Sequence, residues 1–409
     1  MNVLVLTQYF WPEAFRINDV VQGLIERGHG VTVCTGLPNY PGGRFFEGYS
    51  LLGPYRESFS GAQIRRAPLL PRGAGGRLRL ALNYASHAAS AALLAPWLAR
   101  GRHDAILVYE PSPATIGVPA RAFRALKGIP LVFWVQDLWP HSLSATGAVG
   151  NATLLRAVDW LVRWIYRGCD WVLVQSRAFE EAVAAQGVPR ERIVYLPNSA
   201  ETFYSRQLRS ESAPERRELP DGFRVMFAGN IGAAQDFPTI LAAAELLREH
   251  RDIHWVVLGE GRMRPWVEQQ ITARRLGGTV HLLGHRPAES MPRWFAHADA
   301  MLATLRRDPA FAYTIPSKIQ SYLACGKPII AALDGEGSRV VREAGAGWTA
   351  PAEDRQALAD AVLAASRCSR EELDAMGDRA ETFFGEHFER ERLLTRLESV
   401  LAGLGRVCA

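Results

Sequence analysis

Lysine is almost missing from this chain. Of its 47 basic residues only Lys127, Lys318 and Lys327 are lysines, and two of them fall in one short stretch. Cysteine is scarce as well. The five cysteines, at 34, 169, 325, 368 and 408, are odd in number and scattered. No pair has metal-site or redox spacing, which excludes a disulfide framework and points to a reduced, cytosolic protein. Long apolar runs are absent too. The best candidate, 80–99, carries Asn83, Ser86 and His87, whereas a bilayer span needs about 20 apolar residues. The opening MNVLVLTQYF lacks a basic start and reads as a buried strand rather than a signal peptide. The first βαβ turn, TQYFWPEAF, has no G-x-G-x-x-G, which argues against a nicotinamide dehydrogenase. Aspartates and histidines do not cluster at ligand spacing, so no metal and no cofactor are expected. Net charge is +5 with pI near 9.0, too diffuse to argue for nucleic acid.

What is present describes a globular α/β chain. Hydrophobic residues make up 48% and charged residues 22%, and 409 residues suit two domains of about 150–200 residues each. NVLVL is an apolar run of strand length. Ile17, Val20, Val21, Leu24 and Ile25 share a helical face, GHG ends that helix, and VTVCT is a second strand. The pattern returns at 104–110, 130–136, 170–176 and 192–197. A second set follows at 223–230, 253–261, 279–285, 299–305 and 327–333. Short continuous apolar strands separated by helices predict parallel sheets covered on both faces.

The polar, proline-bounded stretch 205–220, SRQLRSESAPERRELP, reads as a linker. The expected layout is therefore a first doubly wound, Rossmann-like domain over 1–204, a linker over 205–221, and a second such domain over 222–385. A C-terminal helix over 386–409 is expected to return to the first domain. Ligands of such sheets bind outside the carboxyl ends of the strands, so a cleft between the two domains is the expected place for a site.

The most informative stretch is YTIPSKIQSYLACGKP, 313–328. A helix starting at Pro316 has free N–H groups in its first turn and a positive dipole end. With Lys318 it would make a seat for a diphosphate; the plain alternative for Lys318 is a surface lysine. Gly229-Asn230-Ile231-Gly232 and Gly259-Glu260-Gly261-Arg262 each put small residues at a strand–helix junction, where backbone approaches a ligand closely. Alone, each is an ordinary tight turn as readily as a site. Together with Pro316-Ser317-Lys318 they form a more specific pattern, with Arg262 as a further phosphate contact or a solvated helix-start arginine.

These pieces, with TQYFWPE (7–13), RGHGVTVCTGLPNYPGG (27–43), VQDLWPHS (135–142), FAGNIGAAQDFPTI (227–240) and PSKIQSYLACGKPII (316–330), make nearly the whole chain resemble one family. It looks like a family-4, two-domain (GT-B) retaining glycosyltransferase, closest to the fucosamine and colanic-acid-type transferases of bacterial surface-polysaccharide biosynthesis. The resemblance implies that the second domain holds a nucleotide-diphosphate sugar and the first an acceptor. Gly229, Asn230, Gly259 and Gly261 would then lie by the diphosphate, and Gly284, His285 and Arg286 by the base. Ser317 and Lys318 would hold phosphate, with Tyr313, Thr314 and Ile315 running past the sugar. The two glutamates common in this family, eight residues apart, are replaced by Tyr313 and Ser321. Ser321 is left as a neutral partner for the ribose. A common basic residue is replaced by Gln235, and a common histidine by Gln136.

Asp137, after a buried strand, is the candidate to orient the acceptor hydroxyl or to stabilise charge growing on the sugar ring. The plain alternative is a turn former. Glu13 is a second cleft carboxylate and a candidate base, or a surface loop residue. His141 is a third candidate, or packs against Trp139 and Pro140. Asn39, Tyr40 and Gln136 are candidate acceptor contacts, with an ordinary turn as the alternative for the first two.

Between Ser58 and His103 there is no acidic residue, while arginines stand at 65, 66, 72, 77, 79, 100 and 102. This basic segment, 65–102, includes a largely apolar helix and suits an anionic membrane surface. Trp160, Trp164 and Tyr166, beside Arg156, Arg163 and Arg167, would add to it. The alternative is a core helix with a solvated arginine fringe.

The expectation is therefore an enzyme at the inner face of the cytoplasmic membrane. It would move a sugar, by the branch resemblance a UDP-linked deoxy or N-acetylated hexose with a GDP-linked fucose close behind, to a lipid-linked saccharide with retention. Two alternatives share the architecture: a sugar-nucleotide epimerase and a non-catalytic sugar-nucleotide-binding partner.

Overall fold

The computed structural model describes residues 1–73, 76–145 and 151–403. Cys408 lies outside the described residues. The chain divides into two units, Met1–Pro197 with Leu393–Ala409, and Asn198–Arg392.

The first unit is built on eight strands. They are β1 (Asn2–Leu6), β2 (Gly30–Gly36), β3 (Arg56–Phe59), β4 (Ala62–Ala67), β5 (Ala105–Glu110), β6 (Leu131–Val135), β7 (Trp171–Val174) and β8 (Ile193–Tyr195). Their order is β3-β4-β2-β1-β5-β6-β7-β8. All neighbours are parallel except β3, which runs antiparallel to β4. The central strands are apolar at nearly every position because helices cover both faces. Val3, Val5, Leu107 and Val132 share one core with Leu24 and Leu173. Residues 393–403 belong to this unit: Leu397, Val400 and Leu401 enter the same core. Glu398 there pairs with Arg27 and His29, each at 2.7 Å.

β3 and β4 have no apolar run to announce them. They form a hairpin through Ser60 and Gly61, both at positive φ (48° and 95°), which is the backbone a two-residue hairpin turn requires. β4 carries two members of the basic segment. Arg66 is 0% exposed, donating to Gly36 O at 2.9 Å and Trp11 O at 2.7 Å and pairing with Glu57 at 2.5 Å.

The second unit has six parallel strands, β9 (Phe223–Ala228), β10 (Ile253–Leu258), β11 (Val280–Gly284), β12 (Ala300–Thr304), β13 (Ile329–Ala332) and β14 (Gly347–Ala350). Their order is β11-β10-β9-β12-β13-β14. Connections run one way from β9 to β11 and the other way from β12 to β14. The order therefore reverses between β9 and β12, and the carboxyl ends of those strands form the topological switch point where ligands of doubly wound sheets bind. One core lies on each face of the sheet, around Ile319, Tyr322 and Phe295 on one side and Phe227, Phe237 and Trp255 on the other.

The stretch expected to be a linker is part of this second unit, which begins at Asn198. Leu219 is buried in its core. Glu215 pairs with Arg293 at 2.7 Å, and Arg209 with Asp299 at 3.0 Å. The polar composition of 205–221 serves ion pairs across the unit's surface rather than a free connection.

Candidate functional site: a cavity at the strand ends of the second unit

At the β9 switch point, the second unit has a cavity of about 500 Å³. Gly229 and Gly259 form its floor, one residue past β9 and β10. Gly229 donates to Leu258 O at 2.9 Å, and Gly259 to Gly284 O at 2.8 Å. Gly259 has φ +150°, and a Cβ there would stand 1.9 Å from Gly229 O. The two turns can lie this close because Gly259 carries no side chain.

The helix Ser317–Ala324 enters from one side. Pro316 is its N-cap, with no side chain capping the first turn, so the orphan N–H groups there are available to an anion. The helix is held by Ile319 and Leu323, both buried in the core. Lys318 turns back over β9. Its Nζ lies 3.8 Å from the centre of the Phe227 ring and donates to Gln235 Oε1 at 2.5 Å. A Cβ on Gly229 would stand 3.6 Å from that ammonium. Burial pushes the Lys318 pKa down to about 7, because an ammonium with little water and no carboxylate partner is costly to keep charged. Gln235 is fixed from below, its carbonyl accepting from Thr304 Oγ1 at 2.6 Å.

Part of the lining is apolar and aromatic. Tyr204 stacks on Phe295 with centroids 6.0 Å apart and planes 8° apart. Met291 adds to it, as does Tyr322 from the helix that carries Lys318. His285, Arg286, Glu201 and Glu260 bring polar groups to the lining. Arg286 stacks over Trp294 at 4.9 Å and pairs with Glu218 at 2.5 Å, while Glu260 pairs with Arg264.

Of the donor-site candidates, Gly229, Asn230, Gly259, His285, Arg286, Ser317, Lys318 and Ser321 line this cavity. The others stand outside its lining. A Cβ on Gly261 would meet Ile231 O at 2.3 Å, so that glycine serves turn packing. Arg262 is exposed. Gly284, at φ +77°, shapes the turn after β11. Thr314 Oγ1 donates to Phe311 O at 3.3 Å, Ile315 is buried in the core, and Tyr313 is half-buried. Ser321 Oγ donates to Ser317 O at 3.2 Å, within its own helix. Glu201, Tyr204, Phe295 and Met291 were not singled out from the sequence, and only their apolar or helix-flanking positions could have drawn attention to them.

In the first unit the carboxyl ends of β5 and β6 bring two acids together. Asp137 is half-buried and accepts from Trp139 Nε1 at 3.2 Å. Burial raises its pKa, and hydrogen bonds from Ser142, Trp139 and Ser112 oppose that rise. Glu110, opposite Val135 in the sheet register, is 1% exposed, and its Oε1 has no hydrogen-bond partner. Burial first, and then the neighbouring Asp137, hold its carboxyl well above the usual range. Ser112 nearby sits at φ +103°, a strained conformation for a residue with a Cβ. Glu110 was missed because it reads as the last residue of a strand.

Glu13 has a different task. Its carboxylate accepts from the backbone N–H groups of Asn39 and Tyr40, each at 2.7 Å, and of Phe10 at 3.3 Å. It pins the 39–43 loop to the loop after β1, and burial raises its pKa to about 7. Asn39 is buried and receives hydrogen bonds from Arg72 N at 3.2 Å and Asn83 Nδ2 at 3.4 Å, so it too knits loops. Tyr40 is exposed, beside Tyr9 and Phe15, with the Arg72 guanidinium 5.0 Å above its ring. Gln136 is half-buried next to Asp137, and His141 is exposed.

The basic segment divides. Arg65 donates to Leu98 O and Arg100 O, Arg66 turns inward as described, and Arg72 is half-buried over the Tyr40 ring. Arg77, Arg79, Arg100 and Arg102 are exposed. Tyr166 is buried against Phe133, and Trp164 is stacked under Arg121, so only Trp160, at 66% exposure, stays outward. Among the described residues no helix is long and apolar enough to cross a membrane.

Comparison with known proteins agrees with this architecture. Residues 14–199 match the glycosyl transferase 4-like domain, and residues 222–367 match glycosyl transferases group 1. The Escherichia coli K12 protein WcaI, named for glycosyl transfer in colanic acid biosynthesis, is 25% identical over 338 residues, covering 80% of this chain and 82% of its own. The amylovoran biosynthesis glycosyltransferase AmsK of Erwinia amylovora is 24% identical over 238 residues, 56% of each chain. Among solved structures, Anabaena HepE in complex with UDP superposes with a TM-score of 0.72 at 16% identity, covering 98% of this chain and all of that one. An Escherichia coli trehalose-6-phosphate structure bound with UDP-2-fluoro glucose gives a TM-score of 0.71 at 13% identity over the full length of both. Two tandem parallel-sheet units and family matches across both of them place this chain among the family-4 glycosyltransferases of the GT-B fold.

Proposed function

We propose that this enzyme transfers a sugar from a nucleotide diphosphate to a hydroxyl of a lipid-linked saccharide in the synthesis of a bacterial surface polysaccharide, with retention at the anomeric carbon. The observation that carries this reading is the cavity of the second unit. It combines an uncapped helix start, the half-buried ammonium of Lys318 and a glycine floor. Aromatic and apolar side chains make up another part of its lining. The first set suits a diphosphate and the second a nucleoside. The names of WcaI and AmsK support polysaccharide synthesis, and the UDP held by HepE supports a UDP-linked donor, read here as a deoxy or N-acetylated hexose.

In the proposed reaction the bond from the anomeric carbon to the diphosphate oxygen breaks, and the acceptor oxygen bonds to the same face. The acceptor proton passes to the departing phosphate oxygen. Lys318 and the helix start stabilise the charge that grows there. Ser317 adds the first N–H of that helix, and Asp137 in the first unit orients the acceptor or meets positive charge on the ring.

A peripheral site on an anionic membrane surface completes the reading. On the helix Arg77–Leu93, Leu78, Ala81, Leu82, Ala85, Ala89 and Leu93 are all exposed, an apolar stripe at helical spacing. Leu78 is 74% and Leu93 81% exposed. Arg77 and Arg79 flank one end, and Arg100 and Arg102 follow the other.

The test is transfer by the purified protein from a panel of UDP- and GDP-sugars into a bacterial lipid extract, with product configuration read by NMR. Transfer with retention supports the proposal. Epimerised donor with no transfer favours the epimerase alternative, and neither outcome from folded protein favours a binding partner.

A further inference from the structure

The first unit has a cavity of its own, of about 320 Å³, at the edge of its sheet. Arg56 and Arg65 line it from the β3–β4 hairpin, and Trp97 and Arg100 from the chain that follows the helix Arg77–Leu93. Arg56 stands directly opposite Arg65 in the antiparallel register. Like charges facing each other across such a pair destabilise it. No acid relieves them. Glu57 also borders the cavity, but its carboxylate is taken by Arg66 at 2.5 Å and by Tyr49 Oη at 2.7 Å. Arg65 is held by neutral groups alone. Its Nη1 donates to Leu98 O at 2.8 Å and Arg100 O at 2.6 Å, and its Nη2 to Gln63 Oε1 at 3.1 Å. The Arg56 guanidinium lies 5.0 Å from the centre of the Trp97 ring, and Arg100 is exposed. Among the described residues no ion pair joins Arg56, Arg65 or Arg100 to a carboxylate. Three guanidiniums around one cavity, two of them opposed in register, favour an anion between them, and their planar forks match phosphate oxygens.

We infer that this cavity seats the phosphate of an anionic phospholipid headgroup. The neighbours of the cavity favour a lipid over a free anion. Leu93, 81% exposed, and Leu94, 37% exposed, end the apolar stripe of the helix Arg77–Leu93. Leu94 O accepts from Trp97 N at 2.9 Å, so the stripe reaches the cavity rim within one turn of chain. Trp97 is half-buried there, and an indole between apolar and charged groups is suited to the bilayer interface. The headgroup phosphate sits among the arginines, and the acyl chains leave along Leu93 and Leu94. This rests on the membrane reading given above and adds a defined site to it. Diffuse charge draws a protein to an anionic surface. A seat for one headgroup also fixes how the first unit lies on it.

The experiment is calorimetric titration of the full-length protein with dihexanoyl phosphatidylglycerol below its micelle concentration. Dihexanoyl phosphatidylcholine and inorganic phosphate are titrated beside it, and flotation on phosphatidylglycerol vesicles is run in parallel. Wild type is expected to bind the monomeric phosphatidylglycerol about tenfold or more tightly than either comparison ligand. Arg56→Gln with Arg100→Gln is expected to lose that affinity about tenfold or more. Arg77→Gln with Arg79→Gln removes equal charge from the other end of the helix. It is expected to weaken flotation and keep the affinity for monomeric lipid. All four arginines are exposed, so an unchanged melting temperature shows that each variant is folded. The seat is overturned if monomeric phosphatidylglycerol does not bind, or if phosphatidylcholine or inorganic phosphate binds as tightly. An undiminished affinity in the Arg56 and Arg100 variant, or an equal loss in both variants, also overturns it. Flotation of wild type in any of these cases leaves the membrane reading standing. Wild type that fails to float removes the membrane reading and the seat with it.

Discussion

The ammonium of Lys318 should make donor binding depend on pH in a particular way. In the free protein it faces Phe227 and Gln235 rather than a carboxylate, and its pKa is about 7. A diphosphate docking beside it restores the charged form, so binding takes up a proton. The sign follows. A pKa lowered in the free state and raised in the complex gives full affinity below pH 7 and progressive loss above it. Each pH unit above 7 costs up to tenfold, or about 1.4 kcal/mol. Between pH 7 and pH 9 the dissociation constant of a nucleotide sugar should therefore rise about 50-fold, provided that the bound pKa stays above 9. Titration calorimetry in buffers of different ionisation enthalpy should show uptake of about half a proton at pH 7 and close to one at pH 8.5. A sugar diphosphate diester is the right probe, because a terminal phosphate would titrate near pH 6. Lys318→Met should bind weakly with a flat pH profile, and Lys318→Arg should bind with a flat profile because its charge is permanent. No proton uptake by wild type, or the same slope in Lys318→Met, would refute the reasoning.

Four other expectations are independent of this one. Glu13→Ala leaves the N–H groups of Phe10, Asn39 and Tyr40 without their acceptor. It should lower stability by about 3 kcal/mol in urea unfolding, at about 1 kcal/mol per group, and an unchanged midpoint would remove its anchoring role. Asp137→Asn should reduce turnover by about 100-fold and leave donor affinity, measured by titration, unaltered. The Glu110 carboxyl is held well above its ordinary range by burial and Asp137, so its contribution to stability is full at acid pH and is lost as pH rises. Glu110→Gln should flatten the fall in melting temperature between pH 5 and pH 8, and a wild-type slope in the variant would contradict this. Charge reversal of Arg77, Arg79, Arg100 and Arg102 to glutamate should release the protein from phosphatidylglycerol vesicles in flotation, and retained binding would argue against the membrane face.

Much of the fold was legible because parallel strands buried on both faces are written as short unbroken apolar runs. NVLVL, LVFWV and IHWVVL needed no partner to be recognised. The hairpin of β3 and β4 was not legible, since RESF is an edge strand, AQIRRA lies beside it, and their polar residues find partners only in the folded sheet. β14, GWTA, is too short to stand out. The linker expectation failed for a related reason. Charge in 205–221 looked like solvation, yet Glu215 and Arg209 meet partners far away in sequence. The diphosphate end of the cavity was readable because a proline, a serine, a lysine and a periodic apolar helix are contiguous. The aromatic part of the lining was not, because Tyr204 is far in sequence from Met291 and Phe295, which share one helix, and all three look like core residues until the fold unites them. The same holds for Glu13: its place after the first strand suggested a cleft base, whereas one oxygen accepts from backbone of a loop 26 residues on and the other from Phe10 N.

The most direct measurement is a thermal-shift screen of UDP- and GDP-sugars on wild type and Lys318→Ala. The account predicts that one nucleotide class raises the melting temperature of wild type and that the rise is lost in the variant. A folded wild-type protein stabilised by none of these donors, or a variant stabilised as fully as wild type, would contradict it.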